Sequence, residues 1–306
     1  MEWRDIVTVL AGGFVILIVV LVVKPAFMVD MMSGPGPVKP YYIPPEPIPT
    51  ARPFPDDDPV YTRSFRWTAI DGGVHTTEVR VPEALFDEHR ETPRFDTLAW
   101  GRYALDEGDR PILEDLARRI APPTTNPEKE YFRLMDLIFF VQQIPYTPDS
   151  SKESYREGVL PPHAVRRGAE VEYPKYPTET LIDGTGDCED AVILMAGLLD
   201  ALGYDTVLLG YREHMVLGIR MEGFNPYYAK YTPKYFTHKG KHYYHVEGTD
   251  FNWAYVSAGS TARVGKPSAI GDAGSTSGTP TIIPLRYTPA PAEYHIRQVR
   301  LPAGWG

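Results

Sequence analysis

The sequence has one cysteine in 306 residues, Cys188. A single thiol excludes an internal disulfide and any thiolate-cluster metal site, so it serves either core filling or chemistry. Basic residues are in deficit: Lys plus Arg total 31 against 40 Asp plus Glu, a net charge of -9. That balance opposes a general attraction to phosphate backbones and argues against nucleic acid as a partner. Internal repeats are lacking. Apolar residues are not, at 43%, which suffices for a core in a chain of this length and excludes a disordered polymer.

One long uncharged run is present. Ile6 to Val23 is apolar except at Thr8, Gly12 and Gly13, long enough for a transmembrane helix. A cleavable signal peptide is the rival, but the run exceeds a typical signal core and no Ala-x-Ala pattern follows. Residues 1–5 are then a short tail, 6–23 a retained anchor and 24–60 a stalk. Eleven prolines between 25 and 60 favour extended polyproline conformations there. Arg4 and Lys24 nearly balance the positive-inside count; the reading places the soluble domain outside the cell.

Beyond the stalk, residues 61–256 read as one domain and 257–306 as a Gly/Ser/Thr/Pro-rich segment with a short strand. Phe65, Trp67 and Ala69 alternate with polar neighbours, and Val79 and Val81 close a second run beyond Asp71-Gly72-Gly73, which predicts a hairpin. Ile112, Leu113, Leu116 and Ile120 form a helical stripe ended by Pro122-Pro123. Asn126, Pro127 and Glu128 start a second helix that stops near Ile144-Pro145. Residues 146–180 are polar and interrupted by prolines, which predicts a long surface loop walling a cleft. Asp187 to Asp190 precede a helix over Ala191 to Leu202, with Gly203 where a left-handed residue is wanted. Strands are predicted at 206–209, 215–221, 243–249 and 281–283, and a loop over 257–279. The whole is an α+β arrangement with helices packed on an antiparallel sheet.

Cys188 opens a helix, where free N–H groups and the macrodipole favour a thiolate. Asp187, Glu189 and Asp190 oppose this unless they are engaged in capping and pairing. The bland account is a core cysteine, since Cys188, Val192, Met195 and Leu199 recur at helical spacing. His214 stands before the apolar run Met215 to Ile219, where a rigidly held imidazole is a general-base candidate; a wet strand-edge histidine is its bland account. The third group, which fixes the tautomer, is Glu247 or Asp250. Strand parity puts Tyr243, His245, Glu247 and Thr249 on one face and Asp250 off it.

Together, Tyr176-Pro177-Thr178-Glu179-Thr180-Leu181, Gly186-Asp187-Cys188-Glu189-Asp190, Leu202-Gly203-Tyr204, His214 and Glu247-Gly248-Thr249 resemble the transglutaminase-like superfamily, particularly its archaeal membrane-anchored members. The resemblance spans about residues 60 to 257 and implies a papain-like core. It implies Cys188 as nucleophile, His214 as base and Glu247 as the orienting acid, where many members carry Asp; Asp250 stays the alternative. Phe140 to Tyr146 resembles the segment upstream of the family's cysteine, with Gln143 the candidate for a polar group near the oxyanion. The implied activity is acyl transfer through a cysteine thioester on a peptide or Gln carboxamide bond, as a cysteine protease, amidase or protein cross-linking enzyme. Its partners would be a protein or peptide substrate and, through the N-terminal helix, the membrane.

Two alternatives remain open. His238, His242 and His245 with Glu247 supply enough ligands for a metal, although His242 and His245 of one strand point to opposite faces. The Asp183 to Asp190 run does not match a twelve-residue calcium loop, and neither a metal nor another cofactor is required by the reading. The other alternative is a catalytically silent transglutaminase-like module, binding or architectural, at the cell surface. The tyrosines, Tyr227, Tyr228, Tyr231, Tyr243 and Tyr244 among them, line a peptide groove or fill a sheet.

Overall fold

A computed structural model describes residues 58–124, 127–167, 170–212, 214–221, 232–249, 253–256, 260–263, 268–272 and 278–286. The anchor at 6–23, the stalk as far as residue 57, Asp250, Tyr227, Tyr228 and Tyr231 lie outside them. Among the described residues no helix is long and apolar enough to cross a membrane.

The described chain is mixed α+β with antiparallel sheets. It opens with the predicted hairpin, β1 (Val60–Thr68) on β2 (Val74–Pro82), in the register Val60 to Pro82 through Thr68 to Val74. The turn closes by Ala69 N–H to Gly73 O at 2.8 Å, with Gly72 at φ +84° and Asp71 Oδ1 accepting from Gly73 N–H at 2.7 Å. Five helices follow: α1 (Glu83–Glu91), α2 (Gly101–Ala104), α3 (Arg110–Ile120), α4 (Pro127–Gln142) and α5 (Pro177–Asp183). A short hairpin, β3 (Val165–Arg167) with β4 (Glu170–Glu172), stands between α4 and α5.

The centre of the domain is α6 (Cys188–Ala201), in which every residue after Cys188 is buried. Its middle is apolar on all sides, as suits a helix covered all round. Helices α2 to α5 cover one side and the sheet the other. It ends in a Schellman motif, with Gly203 N–H donating to Asp200 O at 2.8 Å, Tyr204 N–H to Leu199 O at 2.9 Å and Gly203 at φ +84°. Gly203 thus takes the left-handed role its position predicts.

The main sheet adds β5 (Thr206–Gly210), β6 (Met215–Arg220), β7 (Tyr235–His238), β8 (Lys241–Val246) and β11 (Thr281–Pro284) in the order β11-β5-β6-β8-β7, all antiparallel. A separate pair joins β9 (Trp253–Val256) to β10 (Ser260–Arg263), and β10 lies within the 257–279 stretch predicted to be loop. Tyr243 and Tyr244 are buried, as sheet filling requires.

Two further expectations are corrected. Residues 146–180 are not simply a surface loop: they include β3, β4 and the start of α5, and Tyr173 to Asp183, which contains the whole of α5, is buried. Glu179 accordingly reaches back to accept from Tyr176 N–H at 2.8 Å, a capping interaction with Pro177 at the first helical position. The strand predicted at 243–249 ends at Val246, so Glu247 lies in a turn and the parity argument does not apply to it.

Candidate active site

Strands β6 and β8 pair antiparallel, with Leu217 opposite Val246, so the residue before β6 and the residue after β8 meet at one end of the sheet. These are His214 and Glu247. Nε2 of His214 lies 2.9 Å from Oε1 and 2.8 Å from Oε2 of Glu247. The turn itself anchors the carboxylate: Oε1 accepts from Gly248 N–H at 2.9 Å, Thr249 N–H at 3.3 Å and the Thr249 hydroxyl at 3.2 Å. Burial raises the Glu247 carboxyl, but the His214 hydrogen bond and charge and the Thr249 N–H lower it more, and it sits below the usual glutamate value.

The backbone of Glu247 is held as well. Gln142, the last residue of α4, donates from Nε2 to Glu247 O at 2.8 Å and to Ser268 O at 3.1 Å. Sequence reading selected its neighbour instead. Gln143 is committed elsewhere: Oε1 accepts from Thr68 N–H at 2.8 Å, and Nε2 donates to Thr68 O at 2.9 Å and Phe139 O at 2.8 Å. Its carboxamide completes the end of β1 like a further strand partner. The expectation of an oxyanion role for Gln143 is therefore corrected to a structural one.

Cys188 is the first residue of α6 and is partly exposed. The Met215 N–H, one residue past His214, hydrogen-bonds its sulfur, so the thiol lies at the same sheet end as the imidazole. The thiol donates to Glu189 Oε2 at 3.1 Å. Burial first and Asp187 second push it up to about 12, overriding the Glu189 and Met215 hydrogen bonds. The helix start alone predicts the opposite direction; loss of solvent around the sulfur decides the outcome, and the charge of Asp187 adds to it.

Asp187 and Glu189 cluster with Asp149 at the helix start. Ligand-type oxygens of Asp149, Asp187 and Glu189 lie within 4.8 Å of one another. Burial, then Asp190, raises Asp187 to about 8, and burial, then Asp187, raises Glu189 well above its ordinary value. The protein's own donors already serve much of the cluster: Tyr155 hydroxyl and Tyr173 N–H on Asp149, and the thiol on Glu189. A second convergence, His89 with Asp106 and Asp109, is closed by the 2.8 Å contact of His89 Nε2 with Asp109 and by Thr178 bonding Asp109. Among the described residues the histidine metal set is not assembled: His242 stacks on Tyr235 at 4.4 Å, and His245 is buried, its imidazole lowered to about 4 by burial.

Sequence reading thus names Cys188, His214 and Glu247, which the fold gathers at one sheet end, and misses Gln142, Lys175 and Asp149. Gln142 had a signal in the same helix end that drew attention to Gln143. Lys175 and Asp149 lie in the stretch taken for a loop and carry none. The chain matches no protein-family model, no curated protein and no solved structure.

Proposed function

We propose that this chain is a thiol acyl-transfer enzyme with a transglutaminase-like core, tethered to the membrane by residues 6–23 and acting outside the cell on protein or peptide substrates. The observation that supports it most is the Glu247 carboxylate clasping His214 Nε2 at 2.9 and 2.8 Å, one residue before Met215, whose backbone bonds the only thiol of the chain. With Nε2 held by Glu247, Nδ1 is the ring nitrogen left to take a proton. The thiol rests protonated, so attack and proton removal go together: Sγ bonds to the carbonyl carbon of a Gln carboxamide or peptide bond as His214 takes the thiol proton. The C–N bond then breaks, the departing ammonia or amine leaves with that proton, and a thioester remains. Water returns the acid and a second amine makes a cross-link; either step restores the thiol.

The test is turnover of a glutamine-containing peptide by the full-length protein in detergent, followed by ammonia release and by incorporation of a fluorescent primary amine. Cys188→Ala abolishing both supports the reading; equal turnover by Cys188→Ala overturns it. A second reading is favoured by one observation, the thiol's hydrogen bond to Glu189 and its upward shift. It is a catalytically silent binding module, and it predicts no turnover together with a thiol that alkylates only on unfolding.

A further inference from the structure

Lys175 is a fully buried lysine that the proposed chemistry does not yet use. Its ammonium donates to Ser154 O at 2.7 Å, Ser154 Oγ at 3.1 Å and Thr185 O at 3.1 Å. It also pairs with Asp183 at 3.3 Å and Asp190 at 3.5 Å, and its own backbone N–H donates to Asp190 Oδ1 at 2.8 Å. Thr185 lies three residues before the thiol and Asp190 two residues after it. One side chain therefore grips the chain on both sides of Cys188.

We propose that Lys175 is the positioning residue of the nucleophile: its ammonium fixes the turn from Thr185 to Asp190 and supplies the positive charge that offsets the acids buried around the thiol. The inference rests on the reading of Cys188 as nucleophile. A buried lysine stays charged only where anions surround it. Here burial lowers its ammonium while Asp190, Asp183, Asp149 and Asp187 raise it, leaving it above the ordinary lysine value. The Tyr155 ring, 5.2 Å from the ammonium, covers a further side. The groups acting on Cys188 itself are Asp187 before its helix, Glu189 within it, Glu172 at the end of β4 and Tyr146 beyond α4, with His214 one residue from Met215, whose backbone bonds the sulfur. Except for His214, these side chains are acids or a phenol. Removing Lys175 leaves the thiolate facing them with less compensation, whereas removing the Asp190 charge does the reverse.

The experiment is the rate of iodoacetamide alkylation of the full-length protein in detergent at fixed pH values between about 7 and 10, where the rate follows the thiolate fraction, with thermal unfolding as the check on folding. Cys188 is the one thiol in the chain, so the signal is unambiguous. Lys175→Met is expected to slow alkylation about tenfold at fixed pH. Asp190→Asn is expected to speed it, and Lys175→Arg to keep it near the parent's. A role confined to packing would lower the unfolding temperature and leave all folded-state rates in place, which overturns the proposal. If Lys175→Met does not fold, Asp190→Asn carries the decision: an unchanged rate there overturns it equally. A parent thiol that reacts only on unfolding overturns the nucleophile reading, and this inference with it; a reactive parent whose rate ignores both variants overturns this inference alone.

Discussion

The thiol of Cys188 donates to Glu189, 3.1 Å away, while the imidazole of His214 is held by Glu247 at the end of the β6–β8 pair. Burial, then Asp187, pushes the Cys188 thiol up to about 12, which favours the protonated thiol over a thiolate–imidazolium pair. Reactivity toward a small alkylating agent is therefore expected to be low at neutral pH. At pH 7.5 the folded protein should react at least about tenfold more slowly than the same chain in denaturant, where a cysteine titrates near 8.5. A folded protein that reacts faster than the unfolded one at that pH would contradict the geometry.

Glu247 is predicted to matter through His214. Glu247→Gln keeps the size and the turn but removes the carboxylate that orients the ring, and kcat on a glutamine peptide should fall by about 10²- to 10⁴-fold with KM little changed. Gln142→Leu, which frees the backbone carbonyls of Glu247 and Ser268 and leaves the Glu247 carboxylate in place, should give a smaller fall in the same parameter. Unchanged kcat in Glu247→Gln would remove Glu247 from the mechanism and return attention to Asp250.

Much of this arrangement is legible in the sequence because local chemistry dictates it. The β1–β2 turn needs Asp71 and Gly72, the end of α6 needs Gly203, and the cysteine, histidine and acid each sit at the boundary of an apolar run. What is hidden is long-range. Tyr173 to Asp183 reads as loop because it is polar and proline-bearing, yet it is buried; its carboxylates meet Arg90 and Arg94 from α1 and the residues just after it. Arg90 binds Asp183 at 2.7 Å and Glu179 at 2.8 Å, and no periodicity within residues 173–183 announces a partner some ninety positions upstream. The thiol's upward shift is hidden for the same reason, since its burial and the approach of Glu172 arise only through the fold.

The buried acids make stability fall as pH rises. Asp187 at about 8 and Asp190 at about 6 hold protons in the folded state that the unfolded chain gives up near 4. A group raised on folding contributes stability below its unfolded value and loses it as pH climbs through the folded one. His89, shifted up despite burial by its bond to Asp109, acts in the same direction above its ordinary value, and Cys188 adds to the loss above about pH 8.5. Glu247, held low, has the opposite sign and limits stability only at the acid end. The unfolding temperature should peak on the acid side of neutrality and decline toward pH 9, and Asp187→Asn should flatten the decline. A maximum at pH 8 to 9 would show these acids to be ionised.

Gln142 and Gln143 are adjacent, both buried, and do different work, so their variants should separate stability from catalysis. Gln143 satisfies both backbone groups of Thr68, the last residue of β1, and leaving these unpaired costs about 1–3 kcal/mol. Gln143→Leu should therefore lower the unfolding temperature and leave kcat per folded molecule intact. Gln142→Leu loses two hydrogen bonds of its own, to Glu247 O and Ser268 O, and should also destabilise. Its effect extends to kcat, because the carbonyl it releases belongs to the residue that orients His214. Substrate turnover measured well below both unfolding temperatures distinguishes the two. A kcat loss in Gln143→Leu with Gln142→Leu unaffected would reverse the assignment and place the carboxamide of Gln143 at the reacting carbonyl after all.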